Sequence, residues 1–155
     1  MSATIAEKLQ SLAIVLPDAA APAANYLPYV ISGNMLYISG QLPTEGGTLV
    51  AEGKLGETVS LDDGKRAARA CAINIIAQAH AALDGDLDRI RRIVKINGFV
   101  ASTPDFTSQH LVINGASDLF AEVFGEAGRH ARAAVGMASL PLNAAVEIDA
   151  VLEIK

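Results

Sequence analysis

The chain has 155 residues, 51% of them hydrophobic, and a formal net charge of −5; that is enough apolar material for one packed core without staples. No run reaches the roughly eighteen apolar residues of a membrane span, and residues 1–10, with Glu7 and Lys8 among helix formers, lack the layout of a secretion leader. The acidic balance and 5% aromatic content speak against a nucleic-acid surface, while the lone Cys71 excludes an internal disulfide and fits a reducing, cytoplasmic setting.

Ile5, Leu9, Leu12 and Leu16 fall at helical spacing, so residues 4–16 are predicted to form a short amphipathic helix stopped by Pro17. Residues 18–24 are an Ala/Pro connector. Residues 29–31 and 35–39 read as strands, joined by Ser32-Gly33-Asn34, where Gly and Asn tolerate positive φ. Residues 44–56 are Gly-rich and polar, a loop with a short hairpin arm around residues 49–51. Ser60, with Asp63 three positions on, caps the next helix. Its buried stripe is Ala68, Cys71, Ala72, Ile75 and Ala79, and Gly85 marks its end. Such an alanine stripe permits close approach to a sheet and makes Cys71 a buried structural thiol rather than a nucleophile.

The basic cluster Arg89, Arg91, Arg92 and Lys95, broken by Ile90 and Ile93, reads as a solvated turn entering a strand over residues 92–100. In that strand Val94, Ile96 and Val100 share a face with Gly98, and Ile93, Lys95, Asn97 and Phe99 share the other. A second long helix over residues 106–124 buries Val112, Ala116, Leu119, Phe120 and Val123. Strands over residues 131–139 and 145–154 close the chain. In the last, Val146, Ile148, Ala150, Leu152 and Ile154 alternate with Glu147, Asp149, Val151 and Glu153.

Two long helices with alanine-rich faces cover only one side of such a sheet, so the layout is α+β in two layers, with residues 1–155 as a single domain. The penultimate strand is nearly apolar on both faces, with Ala133, Val135 and Met137 alternating with Arg132, Ala134, Gly136 and Ala138. It therefore needs a second cover, which only a partner subunit is left to supply.

No Walker loop, GxGxxG, HExxH or CxxC is present, and His80, His110 and His130 are scattered without metal-ligand spacing. What stands out is polar residues within apolar strands. Arg132 lies among alanines, where a guanidinium requires a partner. Two readings stand: an ion pair with Glu147 on the following strand, or an anchor for a carboxylate ligand. Ser39-Gly40 is either a strand-terminal turn or a place where backbone approaches a ligand. Asn114, beside Gly115, either caps a backbone group or reaches a ligand, and Tyr29 is core, rim or contact.

These residues together resemble one family. Residues 21–24, Pro28-Tyr29-Val30, Gly33-Asn34-Met35 and Ser39-Gly40-Gln41-Leu42-Pro43 resemble the opening of the reactive-intermediate deaminase (Rid, YjgF-like) family. Ile93-Val94-Lys95 is similar to its central strand, and residues 131–141 with Val146-Glu147-Ile148-Asp149-Ala150 are similar to its close. The resemblance covers residues 21–155. It implies a chorismate-mutase-like fold with a mixed sheet, a homotrimer around a sheet-lined barrel, and clefts between subunits. It also implies hydrolysis of carboxylate-bearing imines or enamines to 2-oxo acids and ammonia, without metal or cofactor. Position by position, Arg132 then matches the carboxylate anchor and Glu147 the acid that activates water. Tyr29, Ser39, Gly40, Asn114 and Ala134 match residues lining the cleft.

Four departures mark a divergent branch. Ala134 stands where cysteine is common, and Gly136-Met137-Ala138 replaces a more polar stretch. The N-terminal extension over residues 1–20 and the loop over residues 46–57 are additions. A non-catalytic 2-oxo acid binder is the alternative to the enzyme, and a ribonuclease or translation inhibitor the weaker one.

Overall fold

The computed structural model describes residues 2–155. Helix α1 spans Ile5–Ser11. Thr4 Oγ accepts from the Glu7 N–H at 3.2 Å, and Glu7 Oε2 accepts from the Thr4 N–H at 2.9 Å, a reciprocal cap. The helix does not continue to Leu16 as the spacing predicts. Ala13 turns left-handed at φ 56°, and the N–H groups of Ala13 and Ile14 bond back to Gln10 and Leu9 carbonyls at 3.0 and 2.9 Å. This early closure brings Ile14 beside Leu9, and both are buried in the core.

Strands β1 (Tyr29–Ser32) and β2 (Met35–Gln41) form the expected hairpin. Strands β3 (Thr44–Glu45) and β4 (Thr48–Leu49) make the small arm, turning at Gly46 and Gly47 with φ of 60° and 82°. Helix α2 (Leu61–Ala82) carries Ala68, Cys71, Ala72, Ile75 and Ala79 fully buried, as its stripe predicts. Strand β5 (Ile90–Ala101) leads through helix α3 (Gln109–Phe124) to β6 (Ala131–Met137), and β7 (Val146–Ile154) closes the chain. Helix α3 begins three residues later than predicted. The segment after Pro104 first closes a turn, with the Phe106 N–H on the Thr103 carbonyl at 3.1 Å. Strand β6 likewise ends before Ser139, as the chain leaves the sheet toward a turn at Pro141–Asn143 in which Leu142 and Asn143 take positive φ.

The sheet order is β1-β2-β7-β5-β6. Only β5 and β6 run parallel, so the sheet is mixed. Helices α2 and α3 share one face, and Ile38, Ile96, Val100, Val146, Ile148 and Leu152 meet them in the core. Gly115 is the reason the helices pack so closely, since a Cβ there would collide with the Lys65 carbonyl of α2. One expectation about facing changes. A bulge between Ile93 and Lys95 turns Ile93 into the core, so it faces the helices and not the Lys95 side. Strand β6 is the sheet edge, and Ala133 and Val135 are exposed on the face away from the helices, so among the described residues nothing covers that face. That open face carries Val30, Tyr37 and Val135 at 47%, 47% and 42% exposure.

Candidate functional site

Arg132 points from β6 to the helix side, because its strand neighbour Ile96 is a core residue. Its guanidinium donates from Nη1 to Ser117 Oγ at 3.0 Å and from Nη2 to the His110 carbonyl at 3.0 Å. No carboxylate pairs with it among the described residues. Asn114, Ser117, Asp118, Arg129, His130 and Arg132 surround one open recess between α3 and β6. Within it Ser117 Oγ lies 2.8 Å from His130 Nε2, and His130 Nδ1 lies 2.6 Å from the Gly128 carbonyl. Burial holds the His130 imidazole below its ordinary pKa; the Arg132 charge acts in the same direction and the Gly128 carbonyl opposes it. Ala134, two residues along, shares the helix-side face and packs against the core beside Gly98.

Glu147 occupies the other face. Along β7, Val146 and Ile148 enter the core, so Glu147 and Asp149 point away from the helices. Gly40 lies directly against the Glu147 carboxylate, and any Cβ at that position would collide with it. A bulge in β2 between Ile38 and Gln41 makes this approach possible. Burial pushes the Glu147 carboxyl above its ordinary pKa, and the Asp149 charge adds to this. Asp149 itself accepts from Asn97 Nδ2 at 2.8 Å. Ser39 Oγ donates to the Leu27 carbonyl at 2.7 Å, so the hydroxyl is engaged in fixing the turn into β1. Behind the bulge, Gln41 Nε2 donates to the Ser39 carbonyl at 2.9 Å, and Gln78 Nε2 donates to Gln41 Oε1 at 3.3 Å.

The candidate residues thus form two groups within one chain: Arg132, Asn114 and Ala134 on the helix side, Ser39, Gly40 and Glu147 toward the open face. Tyr29 belongs to neither; it stands opposite Ile38 and packs at the rim of the core. An Arg132–Glu147 ion pair is ruled out within the chain, since β5 separates their strands and the side chains leave opposite faces. Cys71 is fully buried, and burial, followed by the Glu147 charge, pushes its thiol pKa up, as suits a structural residue. The contact between Ser117 and His130 has no signal in the sequence, because the middle of α3 and the turn before β6 must fold before they meet.

A mixed sheet with both long helices on one face and clefted polar groups at its edge defines a chorismate-mutase-like α+β protein. The family model described as "YjgF/chorismate_mutase-like, putative endoribonuclease" matches residues 6–154, and the chain belongs to this YjgF/Rid family. It is 55% identical over 156 residues to Protein TCP17 of Trypanosoma cruzi, covering 99% of this chain and 96% of that one. It is similar to the structure of Atu1372 from Agrobacterium tumefaciens, a protein of unknown function, with TM-score 0.92 and 60% identity over 97% of this chain and 92% of that chain. RidA from the Antarctic bacterium Psychrobacter sp. PAMC 21119 shares TM-score 0.60 and 31% identity over 88% of this chain and 94% of that chain.

Proposed function

We propose that this chain hydrolyses small carboxylate-bearing imines or enamines to 2-oxo acids and ammonia, at clefts where two subunits of a homotrimer meet. The carrying observation is Arg132: an oriented guanidinium whose recorded partners, Ser117 Oγ and the His110 carbonyl, are both uncharged. Neutral acceptors fix the fork without cancelling its charge, which leaves it able to take a carboxylate through two parallel hydrogen bonds. Glu147, with its raised pKa and its bare glycine neighbour, supplies the base.

In this reading the Glu147 carboxylate takes a proton as water adds its oxygen to the C=N carbon, and the π electrons move to nitrogen. The substrate enters as the protonated imine, so the same carboxyl returns its proton to the amino nitrogen of the carbinolamine. The carboxylate then takes the hydroxyl proton as the C=O bond forms and the C–N bond breaks, and ammonia leaves with that proton as ammonium, giving the 2-oxo acid. The substrate is already electrophilic, so holding it and delivering water is most of the work, and no cofactor takes part. Because the two groups leave opposite faces of one sheet, Arg132 of one subunit would have to serve Glu147 of its neighbour. Asn114 and Ala134 belong to the first half of such a cleft, Ser39 and Gly40 support the second, and Tyr29 stands at the rim of the core outside both halves of its own chain. Residues 1–155 act as one domain, with the first twenty as an extension.

The test generates an imine with an amino-acid oxidase and traps it with semicarbazide. Added protein should divert imine from the trap, and Arg132→Ala should lower kcat/KM by about 10- to 100-fold, the loss of one or two charge-assisted hydrogen bonds. No acceleration by the wild type, or equal acceleration by Arg132→Ala, would sink the proposal. Binding of 2-oxo acids without turnover would instead select the non-catalytic binder.

A further inference from the structure

We infer that Ser117 and His130 are positioning residues, forming a one-directional relay of hydrogen bonds that aims Arg132 at a planar anion while leaving its charge intact. The inference rests on the reading of Arg132 as a carboxylate anchor. The direction of the relay follows from chemistry at each link. The Gly128 carbonyl can only accept, so His130 Nδ1, at 2.6 Å from it, carries the hydrogen. In a neutral imidazole the other nitrogen is then an acceptor, and it faces Ser117 Oγ at 2.8 Å. The hydroxyl hydrogen is committed to His130, which turns the oxygen lone pairs toward Arg132 Nη1 at 3.0 Å.

The base of the relay is rigid. Phe120 is fully buried and meets the His130 ring edge-on, with centroids 5.7 Å apart. The turn Gly125–Gly128 is pressed onto α3 so closely that a Cβ at Gly128 would collide with the Phe120 carbonyl. Arg132 thereby spends two guanidinium hydrogens, one on Ser117 and one on the His110 carbonyl. Three of its five N–H donors remain for a ligand. An acid at position 117 would hold the fork as firmly but would neutralise it, and a bare helix face would leave it swinging. A serine whose hydroxyl is pinned from behind by a neutral histidine does neither. The recess also takes Asn114 from the preceding turn of α3, an amide able to reach the same anion. The relay therefore governs affinity for the carboxylate end of the substrate, and the chemical step lies elsewhere.

The test compares Ser117→Ala, Ser117→Thr and His130→Phe with the wild type. Pyruvate affinity is measured by calorimetry, and kcat and KM in the oxidase-coupled assay. The relay predicts that Ser117→Ala and His130→Phe weaken pyruvate binding and raise KM by about tenfold, the loss of one oriented charge-assisted bond, with kcat within about twofold of wild type. Ser117→Thr, which keeps the hydroxyl, restores the affinity. Wild-type pyruvate affinity in Ser117→Ala, or Ser117→Thr as weak as Ser117→Ala, overturns it. Nitrogen-15 spectra of ligand-free protein separate this inference from the proposed function. They should show His130 protonated at Nδ1 and slowly exchanging Arg132 Nη hydrogens that speed up in Ser117→Ala. A wild type with no pyruvate affinity overturns the anchor reading, and those spectra then decide the relay on its own: the Nε2-protonated tautomer overturns it.

Discussion

Glu147 is costly to keep where it is. Its pKa is raised in the folded chain, chiefly by burial and then by Asp149, so the folded state binds its proton more tightly than the unfolded state does. The linkage sign follows: the penalty is absent below the ordinary carboxylate range and grows as pH rises through the raised value. Glu147→Gln should therefore abolish imine hydrolysis while raising Tm at neutral pH, a gain that fades in acid, as calorimetry across pH would show. Turnover of the wild type should fall on the acid side with a midpoint above the usual glutamate range. Asp149→Asn should move that midpoint down only partly, because burial is the larger cause. At this scale the sequence exposed Arg132, since a guanidinium among alanines is conspicuous, and the family resemblance pointed to Glu147. It concealed Ser117 and His130, thirteen residues apart along the chain, because nothing in spacing announces a contact made across a turn. It also concealed that Gly40 owes its identity to a carboxylate on β7, its neighbour in the sheet but five strands further along the chain, a packing constraint that no local pattern carries.

Helices announce themselves by their stripes, and their ends do not. The alanine stripe of α2 and the Val112–Val123 stripe of α3 were legible because burial repeats with the helical turn. The end of α1 was not, because its left-handed closing residue is Ala13, where glycine is the usual marker. That conformation costs an L-residue about 1 kcal/mol, so Ala13→Gly should stabilise the chain by roughly 0.5–1 kcal/mol and raise Tm by about 2 °C in a thermal melt. A loss of stability would mean that the Ala13 methyl contributes more to packing than its backbone costs. In β5 the single extra residue at the bulge between Ile93 and Lys95 resets the period-two alternation, so a strict in-out reading places Ile93 on the wrong face. Bulges are invisible to periodicity for this reason: they obey it on either side and break it only at one bond.

For the molecule as a whole, the alternation along β7 made one core face plain, but the strand order did not follow from it. The last strand inserts between β2 and β5, leaving β6 at the edge, and pairing partners so distant in sequence leave no local trace. The open face, with Tyr37 and Val135 exposed, is the surface on which the proposed trimer would form. Sedimentation should give a trimer for the wild type and a smaller species for Tyr37→Asp combined with Val135→Glu, with loss of activity and unchanged far-UV circular dichroism. Mixing inactive Arg132→Ala and Glu147→Gln subunits, unfolded and refolded together, should restore about a quarter of wild-type activity, the share of clefts that draw both intact residues in random assembly. Refolded mixtures without activity would contradict the shared cleft. The opposite facing of Arg132 and Glu147 then has a consequence for how the protein behaves in time and concentration. A newly made chain would be inert until it met its neighbours, and specific activity would fall on dilution faster than the protein itself. Assembly would thus set the dose below which the chain does no chemistry at all.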